Sequence, residues 1–247
     1  MTSPAPAPQG LLARGLTRGR RELGVVAAVL VVAAGILGFV SVADAVTDNH
    51  TRAFDMGVLT LLRHPGAPGT PIGPAWLRVA ATDVTSLGSV IDLVLIVLVV
   101  AGLFLALRKR VEALLLVAAG ASGLLMVDIL KVVVGRQRPP LQFHAVPATE
   151  ASFPSGHAML SAIVYLSLAT LAGHFAGSRR VRIYTLTAGM ALTLIVGASR
   201  VYLGVHWATD VIGGWALGSA WAMAWWLIVW FVEHRHHRPL NAAGEAG

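Results

Sequence analysis

The chain alternates long apolar runs with short polar ones, and the apolar runs have the length of membrane spans. Residues 24–43, 87–107, 111–134, 157–175, 181–198 and 210–232 are each about 20 residues long and carry few charges. As α-helix, about 20 residues cross roughly 30 Å of hydrocarbon. The pattern predicts an all-α, polytopic integral membrane protein with six transmembrane helices, over residues 23–235.

The segments between the runs fall into recognisable types. Residues 1–22 are Pro/Ala-rich and then Arg-rich without apolar periodicity, which predicts a disordered basic tail; residues 236–247 form a second tail. Arg14, Arg18, Arg20 and Arg21 before the first run, and Ala43-Asp44-Ala45 after it, also resemble a signal peptide with a small-residue cleavage site. The run is long for a signal peptide, which favours an uncleaved span. Within the loop 46–81, Phe54, Val58, Leu61 and Leu62 share one helical face while Arg52, Asp55 and Arg63 lie elsewhere, so a short amphipathic helix on the membrane or a plain tether is expected. Residues 65–74 hold four prolines and three glycines and cannot continue that helix.

Composition narrows the class. Charged residues make up 13% of the chain, against roughly 25% in soluble domains, and the mean hydropathy is +0.72. With no cysteine, disulfides and thiolate metal sites are ruled out. The net charge of +7 does not indicate nucleic acid, because the basic residues sit in short clusters at the ends of apolar runs. They report orientation instead. Twelve Lys and Arg fall on the side that holds both termini and seven on the other, so the positive-inside rule predicts cytoplasmic termini.

An even number of spans separates three polar stretches, so all three reach the same membrane face. Lys131, Arg136 and Arg138 follow the third span, Pro154-Ser155-Gly156-His157 opens the fourth, and Ser199 to Asp210 joins the fifth to the sixth. A charge at mid-bilayer costs roughly 2.5–3.5 kcal/mol on insertion scales, so such residues need an interface, a partner or a role. Lys131, Arg138 and Arg200 match the charge of a phosphate, which arginine can bind bidentately; lipid headgroup contacts, or a Lys131–Asp128 pair, would account for them equally well. Ser155 can cap the fourth helix, and Gly156 lets an anion approach its free N–H groups. His206 and Asp210 stand one helical turn apart, where a carboxylate can hold an imidazole in one tautomer. A zinc site of His157, His206 and Asp210 is conceivable, but three neighbouring cations oppose a divalent ion. No metal and no cofactor is expected.

Together, Lys131-x6-Arg138-Pro139, Pro154-Ser155-Gly156-His157 and Ser199-Arg200-x5-His206-x3-Asp210 resemble the three signatures of the phosphatidic acid phosphatase type 2 superfamily, and the six-span layout resembles its membrane lipid-phosphatase branch. Gln137 stands where the family often has proline, outside the signature positions. The resemblance implies a phosphohistidine mechanism with His206 as nucleophile, Asp210 as its orienting partner and His157 as general acid and then base. Lys131, Arg138, Arg200, Ser155 and the Gly156 N–H would hold the phosphoryl oxygens. The implied substrate is a lipid phosphate or diphosphate held in the bilayer at the extracytoplasmic face, undecaprenyl diphosphate first; phosphatidylglycerol phosphate, phosphatidic acid and other prenyl or inositol phospholipids are the alternatives. A catalytically silent lipid-binding or transport protein would have little use for His157, His206 and Asp210 together, and a six-span body argues against a vanadate-dependent oxidant. Six of the seven tryptophans lie between Trp207 and Trp230 and read as an aromatic belt with helix packing. Gly214-x3-Gly218 reads as a close helix approach. Asp92 has no evident partner, and nothing in the sequence sets the oligomeric state.

Overall fold

The structure is a computed structural model that describes residues 9–236, with side chains described for 23–173 and 175–232. Among the described residues eight α-helices follow in chain order: α1 (Gln9–Thr47), α2 (Arg52–Leu61), α3 (Ala75–Ser86), α4 (Val90–Ala106), α5 (Arg110–Val134), α6 (Gly156–Phe175), α7 (Arg179–Tyr202) and α8 (Ala208–His236). Five helices among the described residues are long and apolar enough to span a membrane, and the pair α3–α4, bent by 50°, makes a sixth if counted as one span. The protein is therefore a multi-pass, all-α membrane protein, as the hydropathy pattern predicts.

Two boundaries differ from expectation. Residues 9–22, expected in a disordered tail, continue α1 as helix; the rest of that tail and residues 237–247 lie outside the described residues. The second span starts earlier than its apolar run, because α3 leads into it from residue 75. Arg78 and Asp83 hide α3 from a hydropathy reading. The break between α3 and α4 contains Gly88, where an added Cβ would lie 2.4 Å from Val196 Cγ1 and 3.2 Å from His157. The break thus packs closely against both α7 and the start of α6.

Helix α6 is the axis of the bundle. Two thirds of its span is buried (67%), against 11–28% for the other four long spans, and it packs on α5, α7 and α8. Small residues permit these approaches. A Cβ at Gly214 would lie 2.9 Å from the Ser155 carbonyl, one at Gly218 2.5 Å from that of Met159, and one at Gly189 2.9 Å from that of Tyr165. Where lipid surrounds the helices, such backbone proximity supplies the packing attraction that water would otherwise drive. Helix α1 leans on α8 in the same way, through Gly35 against the Ala216 carbonyl.

Local chemistry sets the helix ends that carry the polar residues. Helix α5 stops at Gly135, which takes φ +60° and donates its N–H to the Lys131 carbonyl. Helix α6 starts at Ser155, whose hydroxyl accepts from the Ala158 N–H. A two-stranded hairpin, β1 (Arg63–His64) with β2 (Ala67–Pro71), occupies the Pro/Gly stretch. Buried Arg63 ties it to the rest, donating from Nη1 to the Tyr202 carbonyl (3.0 Å) and from Nη2 to that of Phe143 (3.0 Å).

Helix α2 forms as expected, but with a different face inward. Phe54 is 54% exposed and Leu61 76%, whereas Asp55 is fully buried with Leu59 beside it. The reason is electrostatic: Asp55 finds two hydrogen-bond donors on Thr209 at the start of α8 and a third on Arg136 just after α5, and those contacts set the helix rotation over the count of apolar residues.

Candidate active site

The C-terminal ends of α5 and α7 and the N-terminal ends of α6 and α8 meet at one end of the bundle. Between them lies a cavity of about 290 Å³, lined among others by Lys131, Arg138, Gly156, His157, Arg200 and His206. Three separated sequence stretches therefore converge, as the even span count requires. The apolar part of the wall comes from Val90, Leu124, Val127 and Leu160 on α4, α5 and α6.

His206 sits in the turn between α7 and α8 and is 2% exposed. Its Nδ1 lies 3.3 Å from Asp210 Oδ2, and its Nε2 lies 3.0 Å from Arg138 Nη1. Arginine can only donate, so Nε2 is the acceptor and Nδ1 carries the proton that faces Asp210. Burial pushes the His206 imidazole down to about 4, with the Asp210 hydrogen bond and charge opposing the shift. At neutral pH the ring is uncharged and its Nε2 lone pair points at the cavity side.

Asp210 lies behind His206, away from the cavity, and is fully buried. Besides the imidazole it accepts from the Trp207 N–H at 2.9 Å, the Ser152 hydroxyl and Arg136 Nη1 at 2.5 Å. A buried carboxylate needs this many donors to remain ionised.

The cations differ in their surroundings. Arg138 donates to the Val205 carbonyl at 2.7 Å and the Glu150 carbonyl at 2.6 Å; burial lowers its pKa, and Asp210 and Glu150 oppose that shift. Lys131 forms an ion pair with Glu150 and not with Asp128. That contact holds the Glu150 carboxyl below the usual carboxylate range. Arg200 is buried, donates from Nη1 to Thr85 Oγ1 at 3.0 Å, and keeps an Nε without a partner among the described residues. Gly156 brings the first turn of α6 to the cavity wall, where an added Cβ would lie 3.8 Å from Lys131 Nζ.

Ser155 is placed differently from the phosphate-binding role the resemblance implies. It is fully buried and does not line the cavity, its hydroxyl caps α6, and its N–H donates to the Asp210 carbonyl. It shapes the helix start that carries Gly156 and His157.

Sequence reasoning missed four residues that the fold brings in: Asp55, Arg136, Glu150 and Ser152. Arg136 was visible as one of a basic cluster, and Asp55 as a lone carboxylate on a short apolar helix, but nothing local joins them. Among the described residues no three His, Asp or Glu side chains converge as metal ligands.

Residues 112–234 match the model of the PAP2 superfamily. The chain is 35% identical over 189 residues to phosphatidylglycerophosphatase B of Bacillus subtilis, covering 74% of this chain and 86% of that one. It is 30% identical over 117 residues to an undecaprenyl-diphosphatase of Sulfolobus acidocaldarius, covering 45% and 52% respectively. The crystal structure of a transmembrane PAP2 type phosphatidylglycerolphosphate phosphatase from Bacillus subtilis superposes with a TM-score of 0.72 at 29% identity, over 82% of this chain and 96% of that one. With Lys131, Arg138, Gly156, His157, Arg200 and His206 on one cavity of a multi-span helical bundle, the chain belongs to the PAP2 superfamily as a membrane lipid phosphatase.

Proposed function

We propose that the enzyme hydrolyses a lipid phosphate or diphosphate at the extracytoplasmic face through a phosphohistidine on His206. Substrate phosphate enters the cavity and is met by Lys131, Arg138, Arg200 and the Gly156 N–H. Arg138 turns from Nε2 to a phosphoryl oxygen, which frees the lone pair. Nε2 attacks phosphorus, the bond from phosphorus to the leaving oxygen breaks, and His157 gives that oxygen a proton. Water then attacks the phosphohistidine, His157 takes one of its protons, and inorganic phosphate leaves with His206 neutral again. Asp210 holds the Nδ1 proton and balances the charge that appears on the ring during both steps.

The observation that carries this reading is the state of His206: buried, neutral, hydrogen-bonded to a carboxylate through Nδ1 and turned through Nε2 towards Arg138, on a cavity that Lys131 and Arg200 also line. No step requires a metal, because the cationic cluster supplies the electrostatic stabilisation that a divalent ion provides elsewhere. Undecaprenyl diphosphate is the first substrate to test, since three cations suit its additional charge and an outward site suits that carrier. Phosphatidylglycerol phosphate is the second, favoured by the fuller coverage of the Bacillus subtilis relative.

Phosphate release from a panel of these lipids by the purified protein, with and without EDTA, tests the reading. Radiolabelled phosphate should be trapped on the wild-type protein and absent from His206→Ala. A phosphoenzyme that persists in His206→Ala would remove His206 from the role, and activity lost in EDTA and restored by zinc or magnesium would remove the metal-free mechanism.

A further inference from the structure

We infer that Asp55, on the short helix α2, is a positioning residue for the nucleophile, acting through Arg136 and Asp210. This inference rests on the phosphohistidine reading above. Helix α2 lies outside residues 112–234, the part of the chain that matches the family model, yet it sends a fully buried carboxylate to the back of the site.

Arg136 lies between two carboxylates that are both fully buried. Its Nη2 donates to Asp55 Oδ2 at 2.6 Å and its Nη1 to Asp210 Oδ1 at 2.5 Å. The same Asp55 accepts the Thr209 N–H at 3.0 Å and the Thr209 hydroxyl at 2.7 Å, and so holds the first turn of α8, one residue before Asp210. The Thr209 hydroxyl in turn accepts from Arg136 Nη1 at 2.8 Å. Arg136 further donates to Thr51 Oγ1 at 2.9 Å and rests against the Trp207 ring. The contacts form a closed loop from α2 through Arg136 to the base of α8.

This loop matters because the contact it supports has little slack. The His206–Asp210 contact is 3.3 Å long, and a few tenths of an ångström more would take it out of hydrogen-bond range. The fork of Arg136 is balanced by Asp55 on one arm and Asp210 on the other. Without the Asp55 charge the guanidinium would be drawn wholly to Asp210, and the carboxylate would shift away from Nδ1. The imidazole would lose the partner that fixes its tautomer, while the cations that bind phosphate would stay where they are. Asp55 therefore sets kcat and leaves KM nearly unchanged.

The test uses the full-length protein and Asp55→Asn, which keeps the side-chain shape and removes the charge. With a short-chain lipid phosphate, kcat is expected to fall by about 10- to 100-fold and KM to stay within about twofold, the size seen when a catalytic group is displaced by under an ångström. In an Asp210→Asn background the same change should cost less than about twofold, because the carboxylate that Asp55 positions through Arg136 is then already gone. An equal loss in both backgrounds, a loss confined to KM, or an unchanged kcat would overturn the proposal. The His206 Nδ1 proton, observed by NMR in 15N-histidine-labelled protein without substrate, should move in Asp55→Asn towards its position in Asp210→Asn; an unmoved resonance would also overturn it. That measurement needs no turnover, so a wild-type protein inactive on every lipid phosphate would refute the functional reading and still leave the role of Asp55 decided. If Asp55→Asn does not fold, Arg136→Lys takes its place with the same expectations, since one ammonium cannot hold both carboxylates.

Discussion

Arg138 Nη1 lies 3.0 Å from His206 Nε2, so the proposed nucleophile is held by one of the groups proposed to bind phosphate. The two backbone carbonyls that Arg138 also holds, Val205 and Glu150, keep the guanidinium within reach of both the imidazole and the cavity. Lysine retains the charge but cannot keep both carbonyls and a phosphoryl oxygen at once. Arg138→Lys should lower kcat/KM by about 100-fold, in the range of a lost transition-state donor. Steady-state kinetics on a short-chain lipid phosphate check this, and a loss below about threefold would show that charge alone suffices.

His206 should titrate far below a free imidazole. Burial places it at about 4, compared with about 6.5 in an unfolded chain. The nucleophile must be neutral, so its contribution to activity is present above the folded value and disappears as pH falls through about 4, not through 6.5. A pH titration of the His206 ring resonances should show that low midpoint. Asp210→Asn should lower it further, because the carboxylate raises it.

In the proposed mechanism Glu150, which pairs with Lys131, competes with the substrate for it. Its side chain is 69% exposed, and an ion pair so placed is worth at most about 1 kcal/mol, or about fivefold in affinity. Glu150→Gln should therefore tighten vanadate inhibition, and lower KM, by up to about fivefold with little change in kcat. A KM that rises instead would assign Glu150 to substrate binding.

Gly204 controls the turn that carries His206. It takes φ +73°, and an added Cβ would lie 2.1 Å from the Phe143 carbonyl oxygen and 2.2 Å from Arg63 Nη2. Gly204→Ala should cost about 2 kcal/mol or more, read as a lower thermal midpoint in detergent together with lost activity. Gly57→Ala on α2, where nothing lies within 4 Å of an added Cβ, should leave both unchanged or raise the midpoint slightly.

The proposed orientation has a direct readout. Thr149 is exposed beside the cavity and Gly177 is exposed at the opposite end of α6. In a chain without cysteine, Thr149→Cys should react with a membrane-impermeant thiol reagent in intact cells, and Gly177→Cys only after lysis. The reverse pattern would place the site in the cytoplasm and exclude an outer-leaflet substrate.

Hydropathy along the chain was enough for the membrane-spanning class, for a count of six spans when α3 and α4 are taken as one, and for the shared face of Lys131, His157 and His206. The cause is that spans must be long, apolar and alternate in direction, all of which can be counted along a chain. The His206–Asp210 pairing was legible for a related reason, since four residues make one helical turn. Partners that come from far away emerge from the packed helices alone: Glu150 and not Asp128 for Lys131, and Asp55 with Arg136 behind Asp210. Hydropathy marked Asp55 as the polar side of a surface helix. The fold turned that side inward, because a carboxylate that finds a guanidinium and a helix N-terminus 80 to 150 residues away gains more there than Phe54 and Leu61 lose by facing outward.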